Sequence, residues 1–304
     1  MVLLAGCSAT EGERAPGALR VVATTAILGE FAREVAGPDA EVSSLIPPGA
    51  DPHSFEAPTQ AARAVAAADV IVLNGYGLEG ALLSVVAENR RKSAVVTVAA
   101  EGIEALSADG GAHDEPSSAG GLPALAHEPG DPHLWLDPNF AAQYVENITN
   151  ALVTADPSHA DGYRARGAAT AARYRALRAE LAAQLQPIPP ERRRIVVFHD
   201  AFAYFARAFD FQLAAGVLPE HGGREPSAGE LADTVALVRA QGVTAVYREP
   251  QFSAGVLDAV ARETGVRVLV LYSDAFGPGV EGYEAMMRAN ARALLAGLAP
   301  AAAR

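Results

Sequence analysis

Short apolar runs alternate with amphipathic segments along most of the chain. In the N-terminal third, the runs 19–26, 40–46, 69–75 and 93–99 predict buried strands. The segments 28–37, 59–68 and 77–89 between them have helical periodicity, and Thr59 stands where it would cap the second helix. Strands that alternate with helices of this length indicate a parallel α/β sheet.

The same alternation returns in the C-terminal third. Strands are predicted at 193–200, 211–217, 243–249 and 266–272, and helices at 201–209, 227–242, 254–265 and from about Glu281 onward. Ser227 and Glu230 have the spacing of a capping box at the start of the second of these helices. Between the two thirds, the residues from Asn139 to about Leu185 are predicted to be helical, and strong helix formers fill some 25 residues of the stretch from His159 to Leu185. The pattern therefore predicts two α/β lobes of similar size joined by one long helix.

Residues 107–132 interrupt the pattern and predict a long exposed loop. The loop carries two histidines, His113 and His127, among the acidic residues Asp109, Asp114, Glu115 and Glu128. Two interpretations stay open for it: an arm that collects metal weakly and quickly, or an acidic loop in contact with solvent only.

Length and charge narrow the classes of protein to consider. A chain of 304 residues suits one large domain or two medium ones. The formal net charge of -12 argues against a nucleic-acid partner, because binding phosphates requires basic patches. No segment has the roughly 18 uninterrupted apolar residues of a membrane span.

The single cysteine, Cys7, excludes an intramolecular disulfide. It ends the stretch "LLAGC", which resembles the processing site of bacterial lipoproteins, where the cysteine becomes the lipidated first residue. A signal peptide also needs a basic region and a longer apolar core, and only six residues precede Cys7. Either the true start lies upstream, or Cys7 is a free thiol. We expect an extracytoplasmic protein whose body is soluble and held at the membrane only by an N-terminal lipid.

Four metal-binding side chains follow predicted strands. His53 and His133 stand in the near repeats "DPHSFEAP" and "DPHLWLDP", while His199 and Asp274 end "IVVFHD" and "VLVLYSD". Open parallel sheets place their ligand sites outside the carboxyl ends of the strands. We therefore expect these four groups to meet at one edge, two from each lobe. The other interpretation is that each is an ordinary hydrogen-bonded residue, or a helix cap in the case of Asp274.

Three imidazoles and one carboxylate suit a tetrahedral Zn²⁺ ion. The set contains no thiolate for Cu⁺ and too few oxygens for Ca²⁺ or Mg²⁺. His159, at the start of the long helical segment, and His221, in a glycine-rich turn, are interpreted as structural.

The order of motifs resembles a known family. "GADPHSFEAPT", "HLWLDP", "VFHDAFAYFARAF", "EPSAGELADTV", "REPQFS" and "LYSDAFGPG" are similar to the successive motifs of zinc- and manganese-specific ABC-transporter solute-binding proteins. The resemblance runs from about residue 19 to the end of the chain. It implies two (β/α)4-type lobes with parallel sheets, joined by one long rigid helix, with the metal in the interlobe cleft. It also implies that the metal ligands are His53, His133, His199 and Asp274.

The implied domains are a lipoprotein signal remnant and tether at 1–18, an N-terminal lobe at 19–138 with a mobile loop at 107–132, linking helices at 139–187 and a C-terminal lobe at 188–304. The implied function is a high-affinity extracytoplasmic zinc receptor that delivers Zn²⁺ to an ABC-transporter permease. We expect one ion per chain, a monomer and a possible metal-donating chaperone.

The third ligand position favours zinc. Receptors for manganese in this family tend to carry Glu there, and this chain has His199, which makes the site richer in nitrogen. A manganese receptor remains the alternative, and a zinc-dependent hydrolase is a more distant one. Four protein ligands would close the site to a catalytic water, and the sequence has no H-E-x-x-H motif.

The surroundings of the ligands can also be anticipated. Ligating histidines usually pass their second N–H to an acceptor, and Glu249, Asp137 and Asp200 are the candidates. The prolines before His53 and His133 restrict the backbone, while glycines at 49, 75 and 277 would let the loops shift. Protons compete with the metal for imidazoles, and so we expect affinity to weaken below about pH 6.

Overall fold

The computed structural model describes residues 18–107, 121–197, 199–214, 227–252 and 255–300. The N-terminal half is built on one parallel sheet of four strands in the order β2-β1-β3-β4. The strands are β1 (Leu19–Ala23), β2 (Ala40–Ser44), β3 (Val70–Leu73) and β4 (Val95–Val98). All four residues of β3 are buried, as expected of a central strand with helices on both faces of the sheet.

Three helices connect these strands: α1 (Ala26–Ala36), α2 (Thr59–Ala67) and α3 (Leu82–Asn89). The hydroxyl of Thr25 caps α1 by accepting a hydrogen bond from the Leu28 N–H at 3.2 Å. The predicted cap at Thr59 is wrong, because Pro58 occupies the cap position and Thr59 is already the first helical residue. Pro58 makes no side-chain cap, and its extended backbone alone leads into the helix.

The central helical segment is divided in two. Helix α4 (Pro138–Ala155) and helix α5 (Ala160–Leu185) pack along each other, separated by a short turn at 156–159. The long helix predicted to end at Leu185 is the 26-residue helix α5, and the helical residues before it form the 18-residue helix α4. Helix α4 also packs on β3 and β4, whereas α5 contacts both α1 and the last helix of the chain. Helix α5 is thus the element that joins the two halves.

The C-terminal half repeats the strand arrangement with shorter strands. These are β5 (Arg194–Ile195), β6 (Gln212–Leu213), β7 (Ala245–Arg248) and β8 (Arg267–Val270), and they form the parallel pairs β5-β6 and β7-β8. The N–H of Tyr247 donates to the carbonyl of Val196 at 3.2 Å, which places β7 beside the end of β5. The strands of this half are therefore arranged in the order β6-β5-β7-β8, which is the same topological order as β2-β1-β3-β4 in the N-terminal half.

The helices of this half are α6 (Ala203–Phe209), α7 (Ala228–Gln241), α8 (Gly255–Thr264) and α9 (Tyr283–Leu298). The predicted capping box at the start of α7 is confirmed, with Ser227 and Glu230 each bonding the other's backbone N–H.

An aromatic cluster fills the junction between the halves. Phe31 from α1 lies with its ring centroid 5.4 Å from that of Tyr174 on α5 and 5.1 Å from that of Tyr283 on α9. Tyr174 and Tyr283 are themselves 4.6 Å apart, and all three side chains are fully buried. Separating the halves would expose these rings at a cost of roughly 1.5–3 kcal/mol each. The junction therefore resists wide hinge opening.

Part of the segment expected to be an exposed loop packs on the N-terminal half. The N–H groups of Tyr76 and Gly77 donate to the carbonyls of Leu125 and Ala126 at 2.9 and 3.2 Å. Ala126 and the last three residues of the segment, Gly130, Asp131 and Pro132, are buried. None of the helices in the described ranges combines the length and the apolar character that crossing a bilayer requires.

Candidate metal centre

Four side chains from separate loops meet between the two halves. They are His53, which follows β2, His133, which follows β4, His199, which follows β5, and Asp274, which follows β8. Each offers one nitrogen or oxygen atom, and these atoms all lie within 4.8 Å of one another. The structure thus brings together the four residues to which the sequence pointed, at the carboxyl ends of parallel strands.

Three of the four side chains are buried, and the fourth, His53, is exposed. His133, His199 and Asp274 are 3 %, 2 % and 4 % exposed, whereas His53 is exposed to solvent. His133 Nε2 lies 3.2 Å from His53 Nε2 and 3.5 Å from Asp274 Oδ1. His53 is therefore the member of the set that faces solvent.

The two Asp-Pro-His repeats build the same turn. The backbone N–H of His53 donates to Asp51 Oδ1 at 3.0 Å, and that of His133 donates to Asp131 Oδ1 at the same distance. Such Asx turns, with a proline that fixes φ in the middle, present the following side chain in a set direction. The repeated Asp-Pro-His sequence therefore fixes the direction of a histidine side chain on each of two loops.

Asp131 also orients the ring of His133. Its Oδ1 lies 2.8 Å from His133 Nδ1, which leaves Nε2 facing the other ligands. Sequence reasoning missed Asp131 and proposed Asp137, which is wrong. Asp137 instead caps α4 through the N–H of Asn139 at 2.9 Å and pairs with Arg178 at 3.1 Å.

Glu249 orients the third histidine, as predicted. Its buried carboxylate lies with Oε2 3.1 Å from His199 Nδ1, and because a carboxylate only accepts, the imidazole N–H is the donor. Nε2 of His199 is then the nitrogen available to a metal. The third candidate acceptor, Asp200, is exposed.

Asp274 presents its two oxygens to different surroundings. Oδ1 is buried, makes no hydrogen bond, and is the oxygen 3.5 Å from His133 Nε2. Oδ2 lies 3.3 Å from Gln251 Nε2 and 3.2 Å from Ser273 Oγ. Neither Gln251 nor Ser273 was singled out from the sequence, since both reach the site only through the folding of their loops.

Burial sets the protonation of the site. Burial raises the pKa of Asp274 to about 7, against the opposing effect of His199. Burial likewise raises the pKa of Asp131 to about 7, while the N–H of His133 opposes this change. Burial, and then the nearby His199, hold the pKa of His133 well below its usual range. A cation bound at this site would place positive charge beside the buried carboxyl groups of Asp274 and Asp131, and would therefore favour their ionised forms.

The other residues singled out from the sequence either have other surroundings or lie outside the described residues. His159 is exposed at the turn between α4 and α5, with Nδ1 2.6 Å from Asp156 Oδ2. His127 is not one of the four converging residues. Cys7, His113 and His221 lie outside the described residues, as do Asp109, Asp114 and Glu115.

Comparison with known proteins gives consistent matches. The family model described as "Zinc-uptake complex component A periplasmic" (ZnuA) matches residues 21–297. The manganese-binding lipoprotein MntA of Halalkalibacterium halodurans is 31% identical over 98% of this chain and 95% of its own length. The zinc-binding lipoprotein AdcA of Streptococcus pneumoniae serotype 4 is 29% identical over 96% of this chain and 58% of its own length. The crystal structure of ZnuA superposes with a TM-score of 0.77 at 30% identity, covering 92% of this chain and 99% of that one.

Proposed function

Because the chain belongs to the family of zinc-uptake complex component A, whose members are metal-binding ABC-transporter substrate-binding proteins, we propose that it is an extracytoplasmic zinc receptor. In this proposal it binds one Zn²⁺ ion per chain with high affinity and delivers it to the permease of its transporter. The ligands are His53, His133, His199 and Asp274.

The observation that carries the proposal is the convergence of three imidazoles and one carboxylate within 4.8 Å. Four donors with three nitrogens suit a tetrahedral zinc ion. The acceptors Asp131 and Glu249 on the outer nitrogens of His133 and His199 are the arrangement expected around ligating histidines.

Manganese is the alternative cargo, and similar proteins named for manganese binding include MntA of Halalkalibacterium halodurans. Mn²⁺ prefers oxygen-rich sites, and for a given ligand set it binds more weakly than Zn²⁺. The nitrogen-rich set of this chain supports zinc. A zinc-dependent hydrolase is set aside, because the family is one of solute-binding receptors rather than of enzymes.

The names of related proteins support a lipid anchor. Both curated relatives described above are named lipoproteins, and in our proposal Cys7 carries the lipid that holds this chain at the membrane. A monomeric state, a metal-donating chaperone and the domain limits 1–18, 19–138, 139–187 and 188–304 stay predictions.

Elemental analysis of the protein purified without added metal tests the cargo. We expect roughly one zinc per chain and little manganese. Single substitutions of the four ligands by alanine should each abolish tight zinc binding, while His159→Ala, away from the site, should leave binding unchanged. Tight zinc binding retained in all four ligand variants would refute this site, and manganese at one ion per chain would refute the choice of metal.

A further inference from the structure

The side-chain amide of Gln251 lies beside the metal centre without being one of the four candidate ligands. Its Nε2 is 3.3 Å from Asp274 Oδ2, 3.2 Å from Glu249 Oε2 and 2.9 Å from Ser273 Oγ. Ionised carboxylates only accept hydrogen bonds, and so the amide nitrogen rather than the amide oxygen must face them. Gln251 therefore connects the carboxylate of Asp274 to the carboxylate that orients His199.

This contact distinguishes the two oxygens of Asp274. The oxygen that faces His133, Oδ1, makes no hydrogen bond, whereas Oδ2 is turned toward Gln251 and Ser273. Ser273 has one hydroxyl proton, and its closer partner is Glu249 Oε2. Gln251 Nε2 has two N–H groups and contacts Ser273 Oγ and Glu249 Oε2 as well as Asp274 Oδ2, so the linked side chains of Gln251 and Ser273 together hold Oδ2 in place, and Asp274 offers one oxygen to an ion.

We infer that Gln251 is a specificity-determining residue, which holds Asp274 to a single coordinating oxygen and so favours zinc over manganese. The inference rests on the proposed function, since it concerns the choice of ion at the same four ligands. With Oδ2 held, the site provides three nitrogens and one oxygen, which matches the four-coordinate geometry of zinc.

Releasing Oδ2 changes what the site offers. An aspartate free to turn can bind an ion through both oxygens and supplies a fifth donor. Manganese prefers carboxylate oxygens and a higher coordination number than four. Loss of the Gln251 amide should therefore improve manganese binding relative to zinc, although no ligand has been removed.

Gln251→Met tests the inference, because methionine keeps the length of the side chain and removes the amide donor. Dissociation constants for zinc and for manganese are measured by competition with a chelator, in the wild-type protein and in the variant. We expect the preference for zinc to fall about tenfold, the size of effect seen when a group that orients a metal ligand is lost. X-ray absorption at the zinc edge, which counts the atoms bound to the metal, should report an additional oxygen in the variant.

A matched control is Gln143→Met, since the amide of Gln143 donates to the Glu101 carbonyl at 3.1 Å on the surface of α4. This variant should keep the wild-type preference. Gln251→Asn retains an amide that is one methylene too short, and should shift the preference in the same direction as Gln251→Met.

The outcomes separate the inference from the proposed function. Wild-type protein that fails to bind zinc tightly overturns the proposed function. If the wild-type protein prefers zinc, and both Gln251 variants keep the wild-type preference and coordination number, the proposed function stands and the role of Gln251 is overturned.

Discussion

The indole Nε1 of Trp135 donates a hydrogen bond to the carbonyl oxygen of Ser273 at 2.9 Å. This bond joins the two halves of the molecule one residue before Asp274 and two residues after His133. The indole ring also lies 5.5 Å from the imidazole of His133, centroid to centroid. A single buried side chain is thus in contact with the ligand loops of both halves.

Trp135 should report metal binding by fluorescence, because it is the only tryptophan of the chain and lies against His133. We expect the emission intensity to change on addition of one equivalent of zinc and to return on chelation. The control is Asp274→Asn, which keeps the shape of the ligand and removes its charge, and which should require a higher zinc concentration for the same change. An emission spectrum that does not respond to zinc in the wild-type protein would contradict this prediction.

The pH dependence of binding follows from the raised pKa of Asp274. With that pKa at about 7, the carboxyl group gains a proton as the pH falls below neutral, and zinc must displace the proton. We expect zinc affinity to fall steadily from pH 8 to pH 6, with proton release that grows over this range. Isothermal titration calorimetry in buffers of different ionisation enthalpy measures that release. Zinc binding without proton release at pH 6 would contradict the prediction.

The raised pKa of Asp274 also affects the stability of the metal-free protein. Zinc affinity should rise with pH, whereas the free energy of unfolding of the metal-free protein should fall. A carboxyl group whose pKa is raised on folding stabilises the folded state below its unfolded pKa of ~3.9, and this contribution is lost as the pH rises through the folded value. Asp131, also raised to about 7, acts in the same direction. The metal-free protein should therefore lose stability relative to the loaded protein between pH 5 and pH 8, as measured by urea unfolding. Asp131→Asn, which does not ionise, should flatten the pH dependence of the metal-free form.

The junction formed by α5 should be stabilised by its apolar face rather than by its ion pairs. Leu181 is fully buried, and Leu181→Ala should lower the free energy of unfolding by ~2–5 kcal/mol. The neighbouring Glu180 pairs with Arg288 of α9 at 2.8 and 2.9 Å, but both side chains are partly exposed. Glu180→Gln should therefore cost at most ~1 kcal/mol. If urea unfolding shows that the two variants lose similar amounts of unfolding free energy, the ion pair stabilises the junction as much as the buried leucine does, and the prediction is wrong.

The convergence of the four candidate ligands could be predicted from the sequence, because they follow strands and the turns that carry two of them are determined by local sequence. All four Asp-Pro steps of the chain, at 51, 131, 137 and 156, place the aspartate Oδ1 2.9–3.2 Å from the N–H of the residue after the proline. The step at 156 also lies in the turn between α4 and α5, where the two linking helices are separated.

Features that depend on tertiary contacts were not predictable in this way. Strand pairing stops after two residues in β5, although the buried apolar run continues through Val197. Gln251 and Ser273 reach Asp274 only because their loops fold toward each other, and no local pattern marks them. The choice between Asp131 and Asp137 as the partner of His133 likewise depended on the direction of each side chain.

The two Asp-Pro-His turns allow a matched comparison of what orients a ligand. Asp51 and Asp131 each accept the backbone N–H of their histidine, and Asp131 Oδ1 also lies 2.8 Å from the imidazole Nδ1 of His133. Asp131→Ala should therefore weaken zinc binding about 10–100-fold, the usual cost of losing such a partner, whereas Asp51→Ala should weaken it less. Chelator competition measures both variants, and Asp69→Ala, on the surface, serves as the control. Equal losses for Asp51→Ala and Asp131→Ala would mean that the turn, and not the bond to the ring, sets the position of the histidine.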